Sequence, residues 1–332
     1  RLGVQEAPSV IMSLFIGSTF KKVIAALEKK VNKHLPLDEY DKQDLKLNIH
    51  NQIPDILIAN TDRNRTAPLA FTGKKLELRM VGASTNCALP VTILNTIVGN
   101  QLKAFKQQVD KLIKEKKENK DGAIWRVLRQ YLAESEKIRH EGDKYSEEWT
   151  IEAEKLGLKN EKRSPYALDF FQDKFLNKVL VDNNIYSERE LEAHYEVWQG
   201  IYRTKIDIEA RTLEEMVQNQ IIPIATQYQN QLLQGIQGAL AVGISKKTMK
   251  SQIQLVETIV QHITALQEGL VEMQNRLIIA NKHDHIADKA RAYCDEVKPC
   301  FETIRQHADA LELLVDDQLW TLPKYRELLY VR

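Results

Sequence analysis

A short segment of the sequence, from Lys75 to Met80, alternates charged and apolar side chains. Such alternation is typical of a β-strand with one face on a core, and here the charged face carries Lys75, Glu77 and Arg79 while the apolar face carries Leu76, Leu78 and Met80. A carboxylate and a guanidinium two residues apart on one face could bind the same small anion or divalent metal. The alternative is the solvated face of an ordinary antiparallel strand.

Other charged residues that could take part in chemistry precede this strand. Arg65 lies just upstream, and the turn residues between it and the strand predict a hairpin or strand pair over Leu69 to Met80. Arg1 and Glu6 stand at the start of the chain. Taken singly, Arg1 could be a chain-end charge and Glu6 a loop carboxylate. Arg65 could form a surface ion pair with Asp62, worth about 0 to 1 kcal/mol.

Taken in order, these segments resemble glutamine synthetase. That family has a segment R-L-x-x-x-E-A-P, then N-R-[ST], then a strand K-x-[ILF]-E-[VLF]-R, and the matching segments here begin at Arg1, Asn64 and Lys74. Further details resemble the long bacterial type III branch and continue nearly to the end of the chain. These are Asp62-Arg63-Asn64-Arg65-Thr66, Phe71-Thr72-Gly73, Met80-Val81-Gly82-Ala83-Ser84, Leu94-Asn95-Thr96-Ile97-Val98, Ile208-Glu209-Ala210-Arg211, Ile221-Ile222-Pro223-Ile224-Ala225-Thr226 and Leu314-Val315-Asp316-Asp317-Gln318-Leu319-Trp320-Thr321-Leu322-Pro323.

The resemblance implies a role for each matching residue. Arg1 would hold the substrate carboxylate, and Glu6 would close the site and deprotonate ammonium. Arg65 would contact the nucleotide phosphates and the acyl phosphate. Glu77 would bind a metal ion, and Arg79 would face the transferred phosphate and help bind substrate. The set to which the resemblance gives catalytic roles is therefore Glu6, Arg65 and Arg79.

The activity implied by the resemblance is ATP-dependent ligation of ammonia to glutamate through a γ-glutamyl phosphate. ATP would be the co-substrate, with Mg²⁺ or Mn²⁺ as the metal, in glutamine biosynthesis and nitrogen metabolism. Guanidinium groups and divalent metals suit this chemistry because phosphate charge must be neutralised, while a carboxylate takes the ammonium proton. The family also implies a ring-shaped homo-oligomer, and the type III branch stacks two rings, which makes a dodecamer the candidate assembly.

The sequence departs from the short forms of the family in two places. Ala70 stands where those forms have a further arginine, and the stretch between Glu6 and Arg65 is longer. The other metal ligands and most of the nucleotide pocket are expected upstream. We therefore interpret the chain as the C-terminal part of a longer protein and expect it to be inactive alone. Two alternatives stay open: a ligase joining glutamate to another amine, and a non-catalytic helical assembly module.

Composition narrows the classes of protein further. The chain has 332 residues, 43% of them apolar, and 47 basic against 46 acidic side chains give a net charge of +1. Such a balance offers no overall basic field for nucleic acid or an anionic membrane. Only Cys87, Cys294 and Cys300 are cysteines, which favours a reducing compartment, and no long uncharged apolar stretch occurs. We therefore expect a cytoplasmic protein.

We expect an α+β fold. The resemblance implies the C-terminal part of a glutamine-synthetase-like catalytic domain over residues 1–100, and the apolar spacing predicts a mainly helical region over 101–332. The first region would contain a helical insertion at about 18–59, and the second would contain long antiparallel helices. The predicted helical segments are Val10 to Lys33, Ile49 to Ile58, Val91 to Lys117, Asp121 to Ser135, Tyr145 to Leu156, Ala167 to Val181, Ser187 to Leu240, Thr248 to Asn281 and Asp284 to Asp316.

Several local features of the sequence predict where these helices begin or are interrupted. Ser187 and Glu190 fit a capping box, and Pro223 and Pro299 are expected to kink or break their helices because proline lacks a backbone N–H. The sequence His283-Asp284-His285 allows a metal site, but it also fits a helix start capped by Asp284. The tryptophans lie in amphipathic segments and are expected to pack in or beside cores.

Overall fold

The computed structural model describes residues 14–15, 69–71, 76–78, 86–117, 119–140, 146–324 and 327. These residues belong to two compact units, one within Arg1–Lys162 and Asp173–Glu188 and the other within Arg163–Gln172 and Arg189–Arg332. The described chain is mostly helical with little strand. The division of the chain at residue 100 into a catalytic part and a helical region stays a prediction.

The helices and strands of the described residues are numbered in chain order. The strands are β1 Leu14–Phe15, β2 Leu69–Phe71, β3 Leu76–Leu78 and β4 Arg139–His140. The α-helices are α1 Ala88–Lys116, α2 Lys120–Glu134, α3 Glu147–Lys155, α4 Ser164–Leu168, α5 Lys174–Asp182, α6 Glu188–Met216, α7 Ile222–Ala241, α8 Lys250–Ala280, α9 Ile286–Ala292 and α10 Lys298–Leu314.

The strands of the first unit form a four-stranded sheet in the order β3-β2-β1-β4. Strands β2 and β3 pair antiparallel, which confirms the predicted strand pair, and β1 lies parallel to both β2 and β4. The prediction of a helix from Val10 to Lys33 is wrong at Leu14 and Phe15, which form β1. A short apolar run fits a buried strand as well as a helix, so periodicity alone could not decide between them. The predicted helix from Ile49 to Ile58 lies outside the described residues.

The predicted apolar face of β3 is only partly buried. Leu78 is half-buried as expected, but Leu76 is 53% exposed, so the prediction that it faces a core is wrong. The physical reason is position, because β3 is at the edge of the described sheet and has only β2 as a neighbour. Alternation identified the strand but could not show which face its neighbours would cover.

Helices α1, α2 and α3 confirm three predicted helices to within a few residues at each end. Side chains start two of them: Asn119 Oδ1 accepts from the Gly122 amide at 2.7 Å, and Ser146 Oγ accepts from the Trp149 amide at 3.2 Å. Each bond satisfies a donor that the first helical turn leaves unpaired. A small core joins α1 and α2 through Val109, Ala123 and Val127. Helix α3 buries Trp149, as expected for a packing tryptophan.

The predicted single helix from Ala167 to Val181 is wrong. In the structure this part of the chain forms α4, a 3₁₀ segment Asp169–Gln172 and α5. The break is at Asp173, whose carboxylate accepts from the amides of Phe175 and Leu176 at 2.9 and 3.2 Å. This bonding makes Asp173 the cap of a new helix, because an aspartate at that position satisfies donors that a continuous helix would have used internally.

Both prolines predicted to disturb long helices are preceded by a π-helical turn. The turn Val217–Ile221 separates α6 from α7 just before Pro223, and Tyr293–Val297 separates α9 from α10 just before Pro299. A proline lacks a donor and its ring crowds the carbonyl one turn back, and a wider turn relieves that crowding. Both helices are therefore widened locally just before their prolines, and the predicted kinks stay a prediction.

The core of the second unit is built by α6, α7, α8 and α10 with both π-turns. Fully or almost fully buried apolar residues line these elements: Ile206, Ala210, Val217, Ala225, Ile259, Leu266, Met273, Tyr293, Val297, Ile304 and Leu311. Gly269 of α8 lies against Ile304 of α10, where an added Cβ would approach Ile304 Cγ1 to 3.0 Å. The two helices are therefore packed closely at this point, and Trp320 is buried against the same core. Among the described helices, none is long and apolar enough to cross a membrane.

A pair of histidines joins α8 and α10 beside this core. His262 Nδ1 and His307 Nδ1 are 3.0 Å apart, so one ring donates and the other must accept with a neutral nitrogen. Burial, and then the charge of His307, lower the pKa of His262 below its ordinary value of 6.5. Packing therefore disfavours the state in which both histidines are protonated and charged.

This pair should make stability depend on pH. The pKa of His262 is lower in the folded protein than in the unfolded chain. Its contribution to the free energy of unfolding is therefore present above pH 6.5 and is lost as pH falls through the folded pKa. We expect the chemical denaturation midpoint to decrease from pH 7 to pH 5, and to decrease less in His307→Gln. The exposed His283→Gln is the control. Equal pH dependence in the wild type and His307→Gln would contradict the assignment.

Candidate functional site

Glu77, the predicted metal ligand, lies in the middle of β3. Its Cα partner on β2 is Ala70, and its side chain is half-buried. Ala70 is the position at which the short forms of the family have an arginine. The register therefore places Ala70, where the sequence departs from the family motif, opposite Glu77. Of the predicted site residues, Glu77 is the one that lies among the described residues.

The remaining predicted site residues, Arg1, Glu6, Arg65 and Arg79, lie outside the described residues. The structure consequently does not bring the predicted set together, and their roles stay predictions. Pairing of β3 with β2 fixes the backbone of Glu77, and its role as a metal ligand also stays a prediction.

The described residues do not offer a second candidate metal site. Within the described ranges, no three His, Cys, Asp or Glu side chains come together to hold an ion. His283 and His285 are both exposed, and α9 begins at Ile286. The prediction that Asp284 caps this helix is wrong, because His285 occupies the cap position and makes no side-chain cap bond.

The most developed polar cluster of the described residues is centred on Asp169 in the second unit. Arg291 Nη2 donates to both carboxylate oxygens of Asp169, at 2.9 and 3.0 Å, and the Tyr195 hydroxyl donates at 2.9 Å. Arg291 also pairs with Asp288 at 3.2 Å. Burial, and then the hydrogen bond to Asp169, raise the pKa of Tyr195. The tyrosine is thus held in its neutral form, as a donor.

A second part of this cluster is centred on Asp295 in the π-turn. The Tyr166 hydroxyl donates to Asp295, and Arg163 pairs with the same carboxylate at 3.4 Å while its guanidinium lies 3.9 Å from the Tyr166 ring centroid. The hydrogen bond to Asp295 raises the pKa of Tyr166. Gln199, fully buried in α6, donates to the Pro165 carbonyl at 2.9 Å.

Together these bonds fasten the segment Arg163–Gln172 onto α6, α9 and the π-turn of the same unit. The carboxylates at its centre already accept from arginine and tyrosine, so the arrangement suits a structural clamp better than proton transfer. Sequence reasoning missed it because its partners are up to 132 positions apart, as for Arg163 and Asp295. No local spacing in the sequence signals such a contact.

Comparison with known proteins gives a consistent result. A sequence model described as the glutamine synthetase C-terminal domain matches residues 123–239. The chain is 39% identical over 335 residues to a glutamine synthetase of Bacteroides fragilis, covering 100% of this chain and 46% of that protein. It is 29% identical over 336 residues to a type-3 glutamine synthetase of Dictyostelium discoideum, covering 100% and 45%. A glutamine synthetase of Butyrivibrio fibrisolvens is 26% identical, with coverage of 99% and 46%.

These matches first define the class of the helical part, since residues 123–239 carry the C-terminal domain of glutamine synthetases. With relatives of that name along its whole length, the chain belongs to the glutamine synthetase family. The resemblance drawn from the sequence motifs, including the type III branch, is confirmed. The chain spans about half the length of the curated relatives it matches.

Proposed function

We propose that the protein to which this chain belongs is a glutamate–ammonia ligase that forms glutamine with ATP. The observation that carries the proposal is the similarity over the whole chain to proteins named glutamine synthetase, one of them at 39% identity. The ordered motifs around Arg1, Arg65 and Glu77 support it, because they supply the charges that an acyl phosphate requires.

The proposed reaction has two steps. A γ-carboxylate oxygen of glutamate attacks the γ-phosphorus of ATP, which forms γ-glutamyl phosphate and releases ADP. Ammonia, after loss of a proton from ammonium to Glu6, then attacks the acyl carbon and expels inorganic phosphate. We assign the phosphate contacts to Arg65 and Arg79, and the hold on the substrate carboxylate to Arg1 and Arg79.

The metal assignment rests on Glu77. Its carboxylate is of the type that Mg²⁺ and Mn²⁺ prefer, and a strand in a paired sheet gives it a fixed backbone position. When bound, the metal would neutralise charge on the phosphoryl group. One carboxylate is too few ligands for such an ion, so the proposal needs further ligands from residues that the structure does not describe.

The proposal extends to architecture and assembly. We propose an α+β catalytic part over residues 1–100 with a helical insertion at about 18–59, and a helical region over 101–332 with long antiparallel helices. We also propose that subunits form a ring-shaped homo-oligomer, with a dodecamer of two stacked rings as the candidate. The support is the same similarity to glutamine synthetases, including a type-3 member. The proposed location is the cytoplasm.

The experiment that tests the function is release of phosphate by the complete product of the reading frame that encodes this chain. We expect release only when ATP, glutamate, ammonium and Mg²⁺ or Mn²⁺ are all present, and loss of release when any one is omitted. The assay also addresses the alternative ligase. Turnover with methylamine or a polyamine and none with ammonium would favour that alternative, while no glutamate-dependent turnover would favour a helical assembly module.

A further inference from the structure

An open pocket lies on the second unit between α6 and α9. Its volume is about 650 Å³, which falls in the range of sites for small organic ligands. The pocket is built entirely from residues of these two helices, and it involves none of the residues assigned above to glutamine formation. Its floor includes Gly200, which has no side chain to fill the space.

The charged groups of the pocket all have the same sign. Arg203, Lys205 and Lys289 line it, and no carboxylate is among its lining residues. Neither lysine is ion-paired within the described part of the chain. Three cations in one concave surface attract an anion, because each adds to the potential there.

The Arg203 side chain is fixed by contacts with residues that do not line the pocket. Its Nη2 donates to Asn281 Oδ1 at 2.9 Å, and its guanidinium carbon lies 5.3 Å from the centroid of the Tyr293 ring. The Tyr293 hydroxyl lies within hydrogen-bond distance of the same Asn281 oxygen, at 3.1 Å, and Tyr293 itself is fully buried. Because these contacts fix the side chain, less conformational entropy would be lost when the guanidinium binds an anion.

The other walls of the pocket are apolar and unusually accessible. Val197 is 56% exposed and Ile201 is 45% exposed, and they are one helical turn apart on α6. Ile286 of α9 lies across from them, at the other side of Gly200. Apolar side chains next to cations suit a ligand that has both an anionic group and an apolar part.

We propose that this pocket binds a small phosphate ester. The phosphate is placed against Arg203, Lys205 and Lys289, whose combined charge of three more than neutralises a dianion, and Thr204 also lines the pocket and brings a hydroxyl donor. The apolar part of the ester packs on Val197, Ile201 and Ile286. A phosphate is favoured over a single carboxylate because a dianion neutralises more of the charge of the three cations that line the pocket.

The test uses the chain itself and phenyl phosphate as the probe, titrated calorimetrically, with inorganic phosphate and benzoate as comparison ligands. We expect saturable binding of phenyl phosphate, weaker binding of each comparison ligand, and an affinity that falls with added salt. Lys205→Gln and Lys289→Gln should each weaken binding about 2- to 5-fold, the upper part of the range for one partly exposed charge contact. Lys247→Gln removes the same charge outside the pocket and should change nothing.

A filling variant makes the test independent of charge. Gly200→Leu should abolish binding, and a Cβ at Gly200 meets only Ile286 Cγ1 at 3.9 Å, an ordinary contact, so the helix can accept a side chain there. Far-UV circular dichroism and thermal melting of each variant confirm that the fold is kept. The proposal is overturned by absence of saturable binding to the wild type, by equal weakening in Lys247→Gln, or by unchanged binding in a folded Gly200→Leu. Equal affinities for phenyl phosphate and inorganic phosphate would overturn the role of the apolar walls.

Discussion

Replacing Glu77 with glutamine should reduce glutamate-dependent turnover of the full-length protein by about 100- to 1,000-fold, since a metal contributes several kcal/mol to stabilising transferred charge. Glutamine has nearly the same shape but no charge, so it should bind the metal much more weakly. The half-buried position of Glu77 on an edge strand predicts little change in stability, within about 0.5 kcal/mol. Phosphate release at increasing Mn²⁺ measures both the loss of turnover and the weaker binding of the metal, because a weakened site requires more metal.

Glu302→Gln is the matched control for this prediction. Glu302 is exposed on α10, far along the sequence from the proposed catalytic motifs, and its change alters net charge by the same amount. Turnover in this control should stay within about twofold of wild type. If Glu77→Gln kept full turnover and an unchanged metal requirement, Glu77 would be an ordinary strand residue, as the alternative interpretation of its charged face holds.

The second large effect concerns the core of the second unit. Leu311 and Leu313 are two residues apart on α10, but Leu311 is fully buried and Leu313 is 87% exposed. Leu311→Ala should lower the free energy of unfolding by about 2 to 5 kcal/mol, through lost burial and the cavity that remains. Leu313→Ala should change it by less than about 0.5 kcal/mol.

Urea denaturation of the chain followed by far-UV circular dichroism measures the difference between these variants. The pair is internally matched, because the same residue type is shortened in the same helix. Equal shifts of the unfolding midpoint would show that α10 does not pack on α8 by the face described. A larger shift in Leu313→Ala would mean that the exposed face is the one that carries the stability.

Most of the helical architecture could be predicted from the sequence because helix periodicity is a local property. The stripe from Val91 to Lys117 and that from Thr248 to Asn281 correspond to α1 and α8 within a few residues. The break at Asp173 could not be predicted in this way, because it depends on a side chain that competes for backbone donors. Whether a proline would produce a kink or a π-turn likewise depends on packing beyond its own helix.

The candidate site was predictable only as an ordered set of motifs. The strand around Glu77 was recognised from alternation and is confirmed as β3, but alternation assigned Leu76 wrongly to a core. The clamp around Asp169 and Asp295 was not foreseen, since its partners meet only after folding. The same holds for the cationic pocket, because its two lysines, Lys205 and Lys289, are 84 positions apart in the sequence.

The measurement that tests the central proposal most directly follows oxygen from glutamate to phosphate. The full-length protein is supplied with glutamate labelled with ¹⁸O in its γ-carboxylate, together with ATP, ammonium and Mg²⁺, and the phosphate is analysed by mass spectrometry. If γ-glutamyl phosphate forms, one labelled oxygen is transferred to inorganic phosphate for each glutamine made. Phosphate without label alongside glutamine would contradict the acyl phosphate, and labelled phosphate without glutamine would contradict ammonia as the acceptor.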